Sequence, residues 1–243
     1  MSIYIHKLAL YKYTIYTCHC QYENATIYSM KSFYHLHVSR TNGRFFHRYI
    51  LKDILQASKS EDTKFLIPEV VPESWTHHGW NNLISDDTYI ICALRDPVEA
   101  IVSYNLAFSA IVNKEDFFNR IDLVTNIQSR SFIEWKNNKV DPHEDVELNK
   151  DLILSRLNRV NLLIDSKDIN INTYNKIKRK IADDLGFSDV KYFDDLEDTN
   201  QFMSYGVKEF CKSLTEDEIN RIKEVNSMDV ELYEAAKSLF FPI

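Results

Sequence analysis

The sequence predicts an α/β fold with a central parallel sheet flanked by helices. An uninterrupted apolar run at residues 88–94 is typical of a parallel strand that is buried on both faces. Segments of strand character alternate with segments of helical periodicity, an order that builds parallel sheets. The 243 residues contain no repeats or low-complexity linkers. We therefore expect one domain spanning residues 1–243.

Composition favours a globular, soluble protein in a reducing, cytoplasmic setting. The net charge of −7 argues against general affinity for nucleic acid. No apolar run is long enough for a membrane span, and the N-terminus lacks the series of segments that forms a signal peptide. Four cysteines do not make a disulfide framework in a chain of this size. No cluster has the usual spacing of zinc ligands, so we expect no metal.

The first 33 residues read as an N-terminal β extension. Segments 2–5, 8–20 and 25–30 are rich in Tyr, Ile and Thr, which favour strands. The main domain is expected to begin after them.

A strand, a polar turn and a helix start follow one another from residue 34. Apolar residues alternate over 34–38, and residues 39–43 break that pattern before a helix begins. Such a junction binds anions because backbone N–H groups converge at the start of a helix dipole. Arg40 and Arg44 add two cations. Gly43 is one of four glycines, against roughly seventeen expected at average usage, so it answers a local backbone need.

A second strand is predicted at residues 65–71, and a histidine pair follows it. His77 and His78 lie between Trp75 and Trp80. Histidine can act as a base near neutral pH, although an exposed or capping pair is an equal alternative. The tryptophans fit either stacking on a sugar ring or a core or lid role.

The apolar run at 88–94 ends in a second anion-binding junction. Asp96 is the predicted N-cap, Pro97 the first helical residue, and Glu99 completes a capping box. Ser103 then lies two turns into the helix, roughly 10 Å from the cap. Arg95 and Ser103 can close on one phosphate at that separation. The alternative is that Arg95 only binds nearby carbonyl groups.

The rest of the chain is predicted to be mainly helical. The elements are a broken helix over 117–135, a helix over 146–160, a strand over 161–165, a helix over 174–185 capped by Gly186, a helix opened by a capping box at 215–218, and a final helix over 229–240.

Two motifs resemble those of a known family. They are His37-Val-Ser-Arg-Thr-Asn-Gly-Arg-Phe45 and Arg95-Asp-Pro followed by a helix that carries Ser103. In this order they resemble the carbohydrate sulfotransferases that use 3′-phosphoadenosine 5′-phosphosulfate (PAPS), in the branch of heparan sulfate 2-O-sulfotransferases and bacterial relatives. Asn126-Ile-Gln-Ser-Arg130 is similar to a less distinctive stretch of that family. The resemblance covers residue 34 to the end and implies a three-layer, P-loop-like fold.

The resemblance implies sulfuryl transfer from PAPS to a hydroxyl of a sugar, polysaccharide or other small acceptor. The product would be 3′,5′-ADP, and no metal is required. The implied donor-binding loop comprises Arg40, Thr41, Asn42, Gly43, Arg44 and Phe45. Arg40 stands where the family usually has its catalytic Lys, and Arg95 and Ser103 would hold the 3′-phosphate. The candidate base for the acceptor is His77, then His78, with His37 as the third option.

The chain departs from the family pattern within the first loop. Ser39 replaces Pro, Arg40 replaces Lys, Asn42 replaces Gly and Arg44 replaces Thr. These changes leave open a non-catalytic relative that binds 3′,5′-ADP or PAPS. Another nucleotide-dependent transferase or kinase is a further alternative, for which a Mg²⁺ requirement would be the sign. The loop lacks the Gly-Lys-Ser/Thr ending of nucleoside triphosphatases, and this absence counts against the transferase or kinase alternative.

Overall fold

The computed structural model describes residues 32–41, 79–82, 84–108, 113–135, 140–169, 171–186 and 205–242. The elements, in chain order, are β1 (Ser32–Leu36), β2 (Thr88–Leu94), α1 (Pro97–Phe108), α2 (Lys114–Arg120), α3 (Lys150–Leu157), β3 (Leu162–Asp165), α4 (Ile171–Leu185), α5 (Tyr205–Lys212), α6 (Glu216–Val225) and α7 (Ser227–Ala236). Short 3₁₀ turns lie at Ile121–Leu123, Ser129–Phe132 and Ser166–Asp168. The β segments predicted before residue 32, the helix predicted from residue 45 and the strand predicted at 65–71 lie outside the described residues.

The described strands form one parallel sheet in the order β1-β2-β3. Leu36 of β1 pairs with Cys92 of β2, and Leu94 of β2 pairs with Asp165 of β3. The apolar run is therefore the central strand, with the bounds that the sequence predicts. The mixed α/β class and the parallel sheet are confirmed.

Helices cover both faces of the sheet because the side chains of β2 alternate. Those at odd positions from Tyr89 to Ala93 pack with α4, and those at even positions from Ile90 to Leu94 pack with α3 and α7. All seven residues of β2 are buried. A further apolar cluster joins α1 to α2, α5 and α6. Helix α1, which carries Ser103, is therefore fixed on its outer side as well.

Some helix ends follow local sequence signals. Helix α6 begins with the predicted capping box, in which Thr215 and Glu218 exchange hydrogen bonds. Gly186 follows α4 with a φ of 79°, a left-handed conformation that suits glycine. Helix α3 starts at Lys150 and not at the predicted residue 146, because the Asn149 side chain accepts the Leu152 N–H at 3.0 Å and caps it there.

The end of the last helix is set by the sheet. Helix α7 stops at Ala236, four residues before the predicted end. Phe240 forms a parallel bridge with Leu163, and the Phe241 N–H donates to the Leu163 carbonyl at 2.8 Å. The chain leaves the helix in order to pair with the open edge of β3. None of the described helices combines the length and apolar character that a membrane crossing requires.

Candidate functional site

The candidate site lies where β1 and β2 end side by side. Because Leu36 pairs with Cys92 in a parallel register, the residues that follow Leu36 and Leu94 emerge at the same edge of the sheet. This carboxyl edge is where open α/β sheets bind ligands. The two junctions that the sequence singles out, at Arg40 and at Arg95, are therefore neighbours.

The loop after β1 is tightly folded and carries a strained residue. The Val38 N–H donates to the Leu36 carbonyl at 3.1 Å, and the Thr41 hydroxyl donates to the Val38 carbonyl at 2.9 Å. Arg40 has a φ of 64°, in the left-handed region that non-glycine residues rarely adopt. Such conformations cluster at functional sites, where the surrounding structure holds them. The other candidate loop residues, Asn42, Gly43, Arg44 and Phe45, lie outside the described residues.

Arg40 connects the loop to both other candidates. Its Nε donates to the Ser103 hydroxyl at 3.0 Å, across 63 positions of sequence. Its carbonyl accepts from a terminal nitrogen of Arg95 at 3.4 Å. Arg40, Arg95 and Ser103 thus form one connected cluster. Arg95 and Ser103, which the sequence predicts to bind one phosphate together, are linked through Arg40. Arg95 also donates to a nearby carbonyl group, as the alternative prediction for this residue states.

A carboxylate balances part of the positive charge. The Glu99 carboxylate accepts from Arg95 Nε at 3.0 Å and forms a 3.0 Å ion pair with its terminal nitrogen. Asp96 caps α1 as predicted, since its Oδ1 accepts from the N–H groups of Val98 at 3.0 Å and Glu99 at 3.1 Å. The sequence predicts that the Glu99 side chain completes a capping box, but in the structure it binds the Arg95 guanidinium. The Arg95 side chain is 9% exposed, against 40% for Glu99.

Two residues behind Arg95 are not among the predicted site residues. Gln128 bonds to the main chain of Arg95, and Asp229 of α7 bonds to the main chain of Gln128. Burial raises the pKa of Asp229 to about 6, although N–H donors from residues 128 and 129 and the Arg130 guanidinium act in the opposite direction. The sequence signal for Gln128 is its place in the Asn-x-Gln-x-Arg stretch; Asp229 carries no such signal.

The histidine candidates fall on different parts of the chain. His77 and His78 lie outside the described residues. His37 is half-buried at the end of β1, where its ring stacks on His35 at 5.4 Å between centroids. Strand alternation could have buried His37 in the core, but its side chain is partly exposed. It lies three residues before Arg40.

Trp80 serves the core. It is 3% exposed, and its main-chain N–H donates to the Ser131 carbonyl at 2.8 Å. The guanidinium groups of Arg156 and Arg159 lie over its ring, at 5.2 and 5.3 Å from the centroid. Of the two alternatives for Trp80, the structure therefore supports the core role and not stacking on a sugar. Trp75 lies outside the described residues.

The end of β3 adds a polar group to the same edge. The buried Asp165 accepts from the Tyr233 hydroxyl at 2.7 Å and pairs with the Lys167 ammonium at 2.9 Å. That hydrogen bond to Asp165 raises the pKa of Lys167. Lys167 is 69% exposed, so the edge presents a third cation near the ends of the strands. Neither Asp165 nor Lys167 is among the site residues predicted from the sequence.

The arrangement suits an anionic ligand. Two guanidinium groups, a buried hydroxyl and the N-terminus of α1 lie together at the carboxyl edge of the sheet. Two acidic side chains balance part of this charge, because Glu99 pairs with Arg95 and Asp96 caps α1. Comparison of the chain with protein-family models and with curated proteins gives no significant match. The assignment of a function therefore depends on the motifs and on this geometry.

Proposed function

We propose that the chain is a PAPS-dependent sulfotransferase with a P-loop-like fold. Its donor site would comprise the loop at residues 40–45 together with Arg95 and Ser103. The acceptor would be a hydroxyl of a sugar, a polysaccharide or another small molecule, and the second product would be 3′,5′-ADP.

One observation carries the proposal: Arg40 contacts Ser103 with its side chain and Arg95 with its carbonyl. Residues from two sequence motifs, more than fifty positions apart, thereby meet at one edge of the sheet. PAPS carries two anionic groups, and the site offers two cations at two junctions. The buried Ser39 hydroxyl makes no hydrogen bond among the described residues, and a phosphate oxygen would give it a partner.

The reaction is an in-line displacement. The acceptor oxygen forms a bond to sulfur, while the bond from sulfur to the bridging oxygen of the 5′-phosphate breaks. Negative charge develops on that bridging oxygen as 3′,5′-ADP leaves, by analogy with phosphoryl transfer. Arg40 stays protonated, so it stabilises the developing charge as a fixed cation and does not donate a proton.

The acceptor proton must pass to a base. His77 and His78 remain the first candidates from sequence. His37 is the candidate among the described residues, because it lies half-buried at the end of β1, close in sequence to Arg40. In each case the imidazole accepts the hydroxyl proton as the new bond to sulfur forms.

A non-catalytic relative that binds PAPS or 3′,5′-ADP is the second candidate function. It is favoured by the substitutions in the loop, because Arg40 replaces the Lys of the family pattern and its side chain is engaged by Ser103. Binding and transfer must therefore be measured separately.

The test is a transfer assay on the full chain with sulfur-35-labelled PAPS in buffer that contains a metal chelator. A panel of monosaccharides, oligosaccharides and polysaccharides serves as acceptors. We expect labelled acceptor and 3′,5′-ADP in equal amounts. Arg159→Ala is the control variant, because it removes a guanidinium that donates to the Ser85 carbonyl, at the opposite end of β2 from Arg95. This variant should retain transfer.

Each outcome separates the candidates. Transfer in the wild type supports the sulfotransferase. Binding of 3′,5′-ADP without transfer to any acceptor supports the non-catalytic relative. Transfer that appears only when Mg²⁺ is added in place of the chelator contradicts the proposal, and so does the absence of both binding and transfer.

A further inference from the structure

The main chain of Arg95 is held at two points by one buried amide. The Arg95 N–H donates to Gln128 Oε1 at 2.8 Å, and Gln128 Nε2 donates to the Arg95 carbonyl at 2.9 Å. Gln128 has no exposed surface. Two bonds to one planar group fix the orientation of the peptide units on either side of Arg95, and therefore the direction in which its side chain leaves the sheet.

Gln128 is held in turn by the carboxylate of Asp229, which is 1% exposed. The Gln128 N–H donates to Asp229 Oδ2 at 3.1 Å, and the Ser129 N–H donates to Oδ1 at 2.7 Å. A carboxylate that accepts from two N–H groups forms strong, charge-assisted bonds.

The same segment is fastened to the joint between α6 and α7 from its other side. The Asp229 N–H donates to Asn126 Oδ1 at 3.1 Å, and the Asn126 N–H donates to Asn226 Oδ1 at 2.8 Å. Asn126 has a φ of 52°, a left-handed conformation that Asn tolerates better than most residues. Residues 126–129 are therefore clamped between α7 and Arg95.

We propose that Asp229 and Gln128 are positioning residues of the candidate site: the Asp229 carboxylate holds Gln128, and Gln128 holds Arg95 against the Arg40 loop. The ligand role of Arg95 rests on the proposed function, whereas the relay from Asp229 to Arg95 rests on the bonds alone. Neither positioning residue needs to touch the nucleotide. Helix α7 thereby contributes to a site that lies at the ends of β1 and β2.

The relay depends on the charge of Asp229. As a carboxylate it accepts with both oxygens; once protonated, one oxygen carries a hydrogen and accepts less well. Its pKa of about 6, raised by burial, places this change within an accessible range. The charged group facing it is Arg130, which Asp141, Glu144 and Asp145 face in turn. Two neighbouring helices also carry charged groups, and each is already paired. Glu99 of α1 pairs with Arg95, and Lys150 of α3 pairs with Glu231 of α7.

The first test uses no nucleotide. Backbone amide signals of Arg95, Gln128 and Ser129 are followed by NMR in the nitrogen-15-labelled full chain between pH 5 and 8. We expect the three amides to share a transition near pH 6 in the wild type, and Asp229→Asn to abolish it. Asp165→Asn is the matched control, because Asp165 is equally buried but bonds to Tyr233 and Lys167. Independence of the Arg95 amide from both pH and Asp229→Asn overturns the relay.

The second test measures the Kd of 3′,5′-ADP at pH 7.5 and pH 5.5. We expect Asp229→Asn to raise Kd about tenfold at pH 7.5, and the ratio of the two proteins to approach one at pH 5.5. A merely structural role would weaken binding equally at both values. Gln128→Glu, which keeps an acceptor for the Arg95 N–H but loses the amide donor, should also weaken binding.

The outcomes distinguish this inference from the proposed function. If wild type binds 3′,5′-ADP and Asp229→Asn has the same affinity and pH profile, the positioning role is wrong and the proposed function survives. If no protein binds 3′,5′-ADP but the Arg95 amide titrates with Asp229, the relay holds and the nucleotide assignment fails. If Asp229→Asn does not fold, the wild-type profile still tests the relay, because an Arg95 amide that does not change between pH 5 and 8 overturns it.

Discussion

The two strand ends of the candidate site are built in different ways. After β1, the loop depends on a strained Arg40 and on a few bonds, from Thr41 to Val38 and from Arg40 to Ser103. After β2, Arg95 is held at its N–H, its carbonyl and its guanidinium by Gln128 and Glu99.

This difference suggests that the two residues have different roles toward a bound nucleotide. A residue fixed at three points is suited to anchoring a ligand group that does not react, such as the 3′-phosphate. A residue in a strained loop is suited to the group that changes charge during the reaction, because strain and preorganisation favour the transition state. If the proposed function is correct, we expect Arg40 to act mainly in turnover and Arg95 mainly in binding, and the following predictions test this expectation.

The largest expected effect is that of Arg40→Ala on turnover. Loss of the cation at the leaving oxygen should lower kcat by about 10³-fold. The Kd of 3′,5′-ADP should change by less than about tenfold, since Arg95 remains. Steady-state kinetics and calorimetry measure the two quantities, with Arg159→Ala as the control. Loss of binding with unchanged kcat would reverse the two roles.

The junction after β2 should make stability depend on pH. Asp229 has its pKa raised from 3.8 to about 6 by burial, so the folded protein binds its proton more tightly than the unfolded chain. Its stabilising contribution is complete below about pH 4 and is lost as pH rises through about 6, by up to roughly 3 kcal/mol. Urea unfolding between pH 4 and 7 measures it as the difference between wild type and Asp229→Asn. A difference that is constant across this range contradicts the burial argument. The folded protein is thus less stable against unfolding when Asp229 is charged, although the charged carboxylate is the form that positions Arg95 in the inference above.

Ser103→Ala should have a moderate effect. The Arg40 Nε loses its acceptor, and a phosphate loses a hydroxyl donor, so the Kd of 3′,5′-ADP should rise about tenfold, or about 1.4 kcal/mol. Ser155→Ala, which removes an exposed hydroxyl from α3, is the control. Equal affinities of the two variants in calorimetry would remove Ser103 from the site.

The smallest effect separates the backbones of the two junctions. Glycine relieves the left-handed strain at residue 40, so Arg40→Gly should be more stable than Arg40→Ala by about 1 kcal/mol. Residue 95 has no positive φ, so Arg95→Gly should be less stable than Arg95→Ala. Urea unfolding of the four variants gives both comparisons. If Arg40→Gly is less stable than Arg40→Ala, as is expected at residue 95, the left-handed strain at residue 40 is contradicted.

The sequence predicts best where neighbouring residues decide the structure. The bounds of β2 follow from its apolar run, and the start of α1 follows from Asp96 and Pro97. The end of α7 does not, because the bond from Phe241 to Leu163 is a tertiary one that competes with helical continuation.

The candidate site divides along the same line. The strand-to-helix pattern finds Arg40, Arg95 and Ser103, but it does not reveal that Arg40, and not Arg95, contacts Ser103. The relay from Asp229 through Gln128 joins residues 101 positions apart. Local pattern contains no information on such a contact, which arises only when α7 packs against the sheet.

The most direct test of the central claim is a calorimetric titration of wild type and Arg95→Ala with 3′,5′-ADP in metal-free buffer. We expect micromolar binding by the wild type, about −8 kcal/mol, and its loss in Arg95→Ala. Absence of binding by the wild type, or equal binding by both proteins, would contradict the claim that the paired strand ends form a nucleotide site.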